Sequence, residues 1–167
     1  RLAHQLANIS LIGMPGCGKT TIGAALAKRL GKTFVDLDEE IERRTGNNIP
    51  DIFAREGEEA FRRYEADTLA DLAKQTGQVI ACGGGVIKTP ANVRALRQNG
   101  TVLWVQRPLG KLATGGRPLS QGGAALKQLQ AERTPLYRAA ANAVLDNSTT
   151  LNNVVEAAVR IFESDNL

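Results

Sequence analysis

No feature of the chain restricts its fold more than the stretch Gly13-Met-Pro-Gly-Cys-Gly-Lys-Thr-Thr21, which fits G-x-x-x-x-G-K-[ST] at every fixed position. The pattern is a phosphate cradle. Glycines at 13, 16 and 18 let successive N–H groups turn inward toward phosphate oxygens. Lys19 adds a mobile point charge, and Thr20, on the first turn of a following helix, offers a hydroxyl to Mg²⁺ beside the positive end of the helix dipole. The flanks suit this chemistry. Asn8 to Ile12 reads as a short strand, and Ile22, Leu26 and Leu30 recur at helical spacing with Gly31 placed to end the helix. Strand, glycine loop and helix in that order predict that a nucleoside triphosphate binds here. Gly13, Pro15, Gly16, Cys17, Gly18, Lys19, Thr20 and Thr21 are its candidate contacts.

Four more strands are predicted at Thr33 to Asp36, Gln78 to Cys82, Thr101 to Gln106 and Asn142 to Asp146, each short, apolar and bounded by turn residues. Segments of helical period lie between them, including Glu58 to Lys74 and Asn153 to Phe162. Alternation of this kind implies an α/β fold with a parallel sheet covered on both faces. In such a sheet ligands gather at the carboxyl ends of the strands. At 167 residues the chain fits one domain, residues 1–167. The net charge of +4 comes without any block of like charges, so the composition points to neither nucleic acid nor membrane. No apolar run reaches the length of a membrane span, and a cytoplasmic location is expected. Cys17 and Cys82 read as reduced thiols. Both adjoin glycines in candidate site loops, which raises the expectation of oxidative sensitivity if they are exposed. His4 is the one histidine and lies in the leading segment, so histidine catalysis is not expected. The chain begins with arginine, which suggests a domain cut from a longer polypeptide or a removed tag.

The residues after each strand carry the rest of the chemistry. Asp36 and Asp38 fall where both can face the crevice above the phosphate loop, one toward the water shell of Mg²⁺ and the other toward an acceptor hydroxyl. Glu39 and Glu40 read as acids favouring a helix N-terminus. On the next helix Glu65 interrupts an apolar stripe of Phe61, Leu69 and Leu72, with Arg62 one turn earlier. The pair is either a surface ion pair or an acid bracing an arginine whose planar fork suits a carboxylate. Gly83-Gly84-Gly85 ends a strand, either as a tight turn or as a place where a ligand packs on bare backbone. Trp104 is expected in the core. Residues 110–123 place glycine pairs on either side of Arg117 and read as a hinged lid delivering a cation. Pro135 is expected to start or kink a helix, and Asn147 to Thr150 sits where a nucleotide base would lie.

Together these pieces resemble the shikimate kinases, a family within the nucleoside-monophosphate-kinase-like group of P-loop proteins. The resemblance rests on the loop from Gly13 to Gly23, Asp36-x-Asp38, Asp51-Ile-Phe, Phe61-Arg62-x-x-Glu65, Gly83-Gly84-Gly85, Arg117-Pro-Leu and Pro135-Leu-Tyr-Arg138. It implies a three-layer fold with a five-stranded parallel sheet of order 2-3-1-4-5, a helical substrate-binding region at residues 36–65 and a short lid. It also implies transfer of the γ-phosphoryl group of ATP, with Mg²⁺, to the 3-hydroxyl of shikimate in aromatic amino acid biosynthesis. On this resemblance Asp38 is the general base, Asp36 supports Mg²⁺ through water, and Arg62 and Arg138 grip the carboxylate. Gly83, Gly84 and Gly85 line the ring, and Arg117 reaches the transferring phosphate. Fusion to, or association with, another enzyme of the same pathway fits the missing methionine. The lid departs from many members in lacking an arginine that packs on adenine, which Lys111 does not replace. Two alternatives remain: a gluconate-kinase-like enzyme, and a catalytically silent nucleotide-binding module of a larger fusion. No Asn-Lys-x-Asp string for guanine is present.

Overall fold

The structure is a computed structural model that describes residues 6–98, 100–112 and 119–164. Five strands, β1 (Asn8–Ile12), β2 (Thr33–Asp36), β3 (Gln78–Ala81), β4 (Gly100–Gln106) and β5 (Ala143–Asp146), form one sheet. Its order is β2-β3-β1-β4-β5, and every pairing is parallel. The helices are α1 (Lys19–Leu30), α2 (Leu37–Thr45), α3 (Ile49–Ala73), α4 (Pro90–Gln98), α5 (Leu119–Ala140) and α6 (Leu151–Ser164). Right-handed crossovers sort them into layers. The connection through α1 runs from β1 toward the β2 edge, whereas those through α2–α3, α4 and α5 run the other way. α1 therefore lies on one face, where α6 packs against it, and α3 and α4 pack together on the opposite face.

The central strands β1 and β3 are buried along their whole length, as expected where both faces are covered. Ile9, Leu11, Ile12, Val79, Ile80, Val102, Leu103 and Val105 form the centre of the core, with Ile22 and Leu26 of α1 and Val155, Ala158, Val159 and Phe162 of α6 around them. The connections out of β1 and β3 depart in opposite directions, so a crevice opens at their carboxyl ends. The loop from Gly13 to Gly18 leads from β1 over that crevice into α1.

Two expectations about elements are corrected and one is extended. The helix expected from Glu58 is present, and a further helical run precedes it from Ile49, where the Asn48 side chain caps it by accepting from the Asp51 N–H at 2.9 Å. Gly57 (φ 88°, ψ 171°) then breaks the run into two helices, in a region open almost exclusively to glycine. Pro135 does not start α5 but sits inside it. The stretch 110–123, expected to be a lid, is not a loop over its whole length. Leu109–Lys111 forms a 3₁₀ turn, and α5 already begins at Leu119, so the second glycine pair, Gly122 and Gly123, is helical rather than a hinge. Arg117 and the first glycine pair lie outside the described residues. No helix among the described residues is long and apolar enough to cross a membrane.

Candidate active site

The phosphate loop sets one wall of a cavity of about 510 Å³, lined by Pro15, Gly16, Gly18, Lys19, Thr20, Thr21, Asp36, Asp38, Cys82, Gly83, Gly84 and Arg107 among others. Gly18 takes φ 101°, a backbone conformation that costs a side-chain-bearing residue dearly. The Lys19 ammonium donates to the carbonyls of Gly13 (2.6 Å) and Met14 (3.0 Å), which holds it over the loop. Cys17 points away from this cavity and is buried. Its Sγ lies 2.9 Å from where a Cβ on Gly13 would stand, so a compact thiol fills the space beneath the loop. Burial pushes the Cys17 thiol up, against the opposing charge of Lys19, and burial does the same to Cys82. Exposure was the premise of the expected oxidative sensitivity, and neither cysteine meets it.

The two aspartates occupy different positions. Asp36 caps α2: its Oδ1 accepts from the Glu39 N–H at 3.2 Å and its Oδ2 from the Thr20 hydroxyl at 3.0 Å. Thr20 and Asp36 thus stand side by side at the loop. Among the described residues no group of three or more His, Cys, Asp or Glu side chains could hold a metal ion, so a cation here would take most of its oxygens from phosphate and water. Asp38, on the first turn of α2, turns to Gly83 instead. A Cβ at residue 83 would stand 2.8 Å from Asp38 Oδ1. That oxygen is buried with no hydrogen-bond partner among the described residues. Burial first, then the neighbouring Asp36 charge, raises the Asp38 pKa above the ordinary carboxylate range, while Lys19 and Arg62 pull against the shift.

Beyond Asp38 the arginines gather. Arg62 on α3 donates to Glu65 Oε1 at 3.0 Å and to Glu58 Oε2 at 3.3 Å. Glu65 is 0% exposed and its other oxygen has no partner among the described residues, so the pair is buried on the acid's side rather than a surface ion pair, and Glu65 braces Arg62. Burial raises the Glu65 pKa despite the charge of Arg62. The Arg62 guanidinium lies so close over Gly85 that any side chain there would collide with it. The glycine turn is pinned from α5: the Tyr137 hydroxyl donates to the Gly84 carbonyl at 2.6 Å. Tyr137 is 1% exposed, and its pKa is pushed up to about 12 by burial, so it stays a donor.

Arg138 does not join this group. It is exposed, stacks over the Trp104 ring at 5.7 Å and lines a second cavity of about 420 Å³ with Met14, Cys17, Tyr137 and Asp146. The arginine on the acceptor side is Arg133, one helical turn before Tyr137. A Cβ on Gly84 would stand 2.8 Å from Arg133 Nη1, and the charge of Arg133 reaches Glu65. Sequence reasoning also passed over Arg107, at the end of β4, which lines both cavities. The helical period of α5 carries the signal for Arg133: the buried aromatic Tyr137 marks the inward face, and Arg133 is its i−4 neighbour.

A family model for shikimate kinase matches residues 15–163. The chain belongs to the shikimate kinase family. It is 47% identical over 148 residues to the shikimate kinase of Nitrosomonas europaea, covering 84% of this chain and 70% of that protein. It is 44% identical to that of Thiobacillus denitrificans, covering 84% and 81%. Among solved structures, the shikimate kinase from Acinetobacter baumannii in complex with shikimate superposes with a TM-score of 0.90 at 35% identity, covering 99% of this chain and 98% of that one. The sheet order of this chain is that of shikimate kinase structures. The family transfers phosphate from ATP, and this chain is one of its kinases.

Proposed function

We propose that the chain transfers the γ-phosphoryl group of ATP to the 3-hydroxyl of shikimate, with the acceptor held between Asp38, Arg62, Arg133 and the Gly83–Gly85 turn. One observation supports the acceptor above all. A half-buried carboxylate, one of whose oxygens is buried with no partner among the described residues, stands beside the phosphate loop, and two guanidinium groups lie against the bare glycine backbone next to it. An acceptor with a hydroxyl at one end and a carboxylate at the other satisfies both halves. Arginine forks match a carboxylate, and the Asp38 carboxylate accepts the proton of the hydroxyl as it attacks. Lys19 and the loop N–H groups hold the phosphates, and Arg117 is assigned to the transferring phosphate from the resemblance alone. Mg²⁺, when bound beside Thr20 and Asp36, neutralises the charge that develops on the phosphate oxygens. Arg133 takes the carboxylate role first given to Arg138. A cytoplasmic location and a single domain remain the expectation, and residues 36–65 contribute Asp38 and Arg62 to the acceptor site.

An assay coupling ADP release to an indicator reaction, with MgATP and either shikimate or gluconate, tests the proposal. ADP release that depends on shikimate is expected. Release with gluconate alone moves the reading to a gluconate-kinase-like enzyme, and no release with either acceptor favours a silent nucleotide-binding module.

A further inference from the structure

Asn147 follows β5 and was expected to meet the nucleotide base, but its side chain is engaged elsewhere. The Nδ2 group donates to the Cys17 carbonyl at 2.8 Å. Its own N–H donates to the Gln106 carbonyl at 2.7 Å, which fixes the residue on the end of β4. The amide is packed on the phosphate loop so closely that a Cβ on Gly18 would stand 2.6 Å from Nδ2. Among the described residues lining the two cavities of the site, Asn147 is absent. It approaches the loop from behind.

The consequence follows from peptide geometry. The Cys17–Gly18 peptide is trans, so its C=O and N–H point in opposite directions. A carbonyl held back toward Asn147 turns the Gly18 N–H forward, and Gly18 lines the phosphate cavity. Gly18 also stands at the N-cap of α1 with no side-chain cap, and its φ of 101° leaves this peptide free to rotate unless something holds it. We propose that Asn147 is a positioning residue for the nucleotide phosphates. It fixes the Cys17–Gly18 peptide with the N–H aimed into the cavity, and it does not read the base. Donors set in place before the ligand arrives cost no reorganisation when charge develops on the phosphate. The inference rests on the reading that this loop binds the phosphates of ATP.

The test is Asn147→Leu, which keeps the shape of the side chain and removes its donor, with Asn147→Ala as a second variant. Binding of ATP, of ITP, which differs from ATP only in the base, and of inorganic triphosphate is measured with Mg²⁺, beside shikimate binding and thermal melting. Losing one hydrogen bond predicts a roughly 2- to 12-fold weaker affinity, by the same factor for all three phosphate ligands, with shikimate affinity unchanged. Unchanged triphosphate binding with an altered ATP-to-ITP ratio makes Asn147 a base reader and overturns the inference. Parallel loss of shikimate binding and melting temperature in both variants makes it a purely structural residue and overturns it too. Failure of the unmodified protein to bind any of the three phosphate ligands overturns the nucleotide reading itself, and is distinguishable because no variant is needed to see it.

Discussion

The two halves of the site are built in opposite ways. On the donor side, one run of nine residues folds back on itself: Lys19 pairs with two loop carbonyls, and Asn147 and Asp36, from outside the run, pair with the Cys17 carbonyl and the Thr20 hydroxyl. On the acceptor side, side chains from α2, α3 and α5 converge on the turn after β3. Two of their carboxylate oxygens, on Asp38 and Glu65, are buried with no partner among the described residues. The donor half has its lysine, threonine and several carbonyls paired before a ligand arrives and keeps loop N–H groups for phosphate, whereas the acceptor half carries unmet demand on carboxylate oxygens. Substitutions on the acceptor side should therefore trade stability against turnover, as buried charges retained for function do.

The sharpest way to break this contrast is Asp38→Asn. We expect kcat to fall about 10²- to 10⁴-fold, shikimate affinity to change little, and the melting temperature at pH 8 to equal or exceed that of the unmodified protein. The sign follows from the raised pKa. A carboxyl whose folded pKa exceeds its unfolded value of about 3.9 contributes its stability below that unfolded value and loses it as pH rises through the folded value. The permanently neutral amide avoids that loss, so the gap in melting temperature between variant and parent should close as pH is lowered. Near-normal kcat removes Asp38 as base, and a variant less stable than its parent at pH 8 contradicts the demand argued for its carboxylate.

The same contrast governs what the sequence reveals. The donor half is contiguous, so spacing alone placed Gly13 through Thr21, and short apolar runs placed β1 and β2 to the residue. The acceptor half depends on which way a helix faces. Arg133 and Arg138 are five residues apart, about 140° around α5, and a motif string does not say which points inward. Gly57 is a related case: the sequence placed the helix that starts after it, but the helical run from Ile49 before it shows only in the backbone. Cys17 was legible as a loop residue and a reduced thiol, but not its place in the volume under Gly13, which exists only in three dimensions.

Arg62→Ala is expected to have the next largest effect. It removes one carboxylate fork, raising the shikimate KM about 10-fold or more while leaving the ATP KM nearly unchanged. It also strands Glu65 in the interior, at about 3 kcal/mol of stability. Adding Glu65→Gln should restore much of the melting temperature but not the KM. Restoration of both would mean that Arg62 acts only as a counterion. The pH profile of kcat comes next. Its acid limb reports Asp38 in the ternary complex and should lie above the ordinary aspartate range, because burial and Asp36 raise that group. An acid limb at or below that range would put the base elsewhere. Tyr137→Phe is expected to act least. Losing its bond to Gly84 should raise the shikimate KM by roughly 2- to 12-fold and leave binding of inorganic triphosphate unchanged. Equal effects on both ligands would show that the two halves are not separable.

The account turns most on which arginine of α5 faces the acceptor. Calorimetric titration of shikimate into Arg133→Ala and Arg138→Ala, beside the unmodified protein, measures it directly. The structure predicts that Arg133→Ala loses about 10-fold or more in shikimate affinity, whereas Arg138→Ala stays within about 2-fold. The reverse order would contradict the acceptor site drawn here.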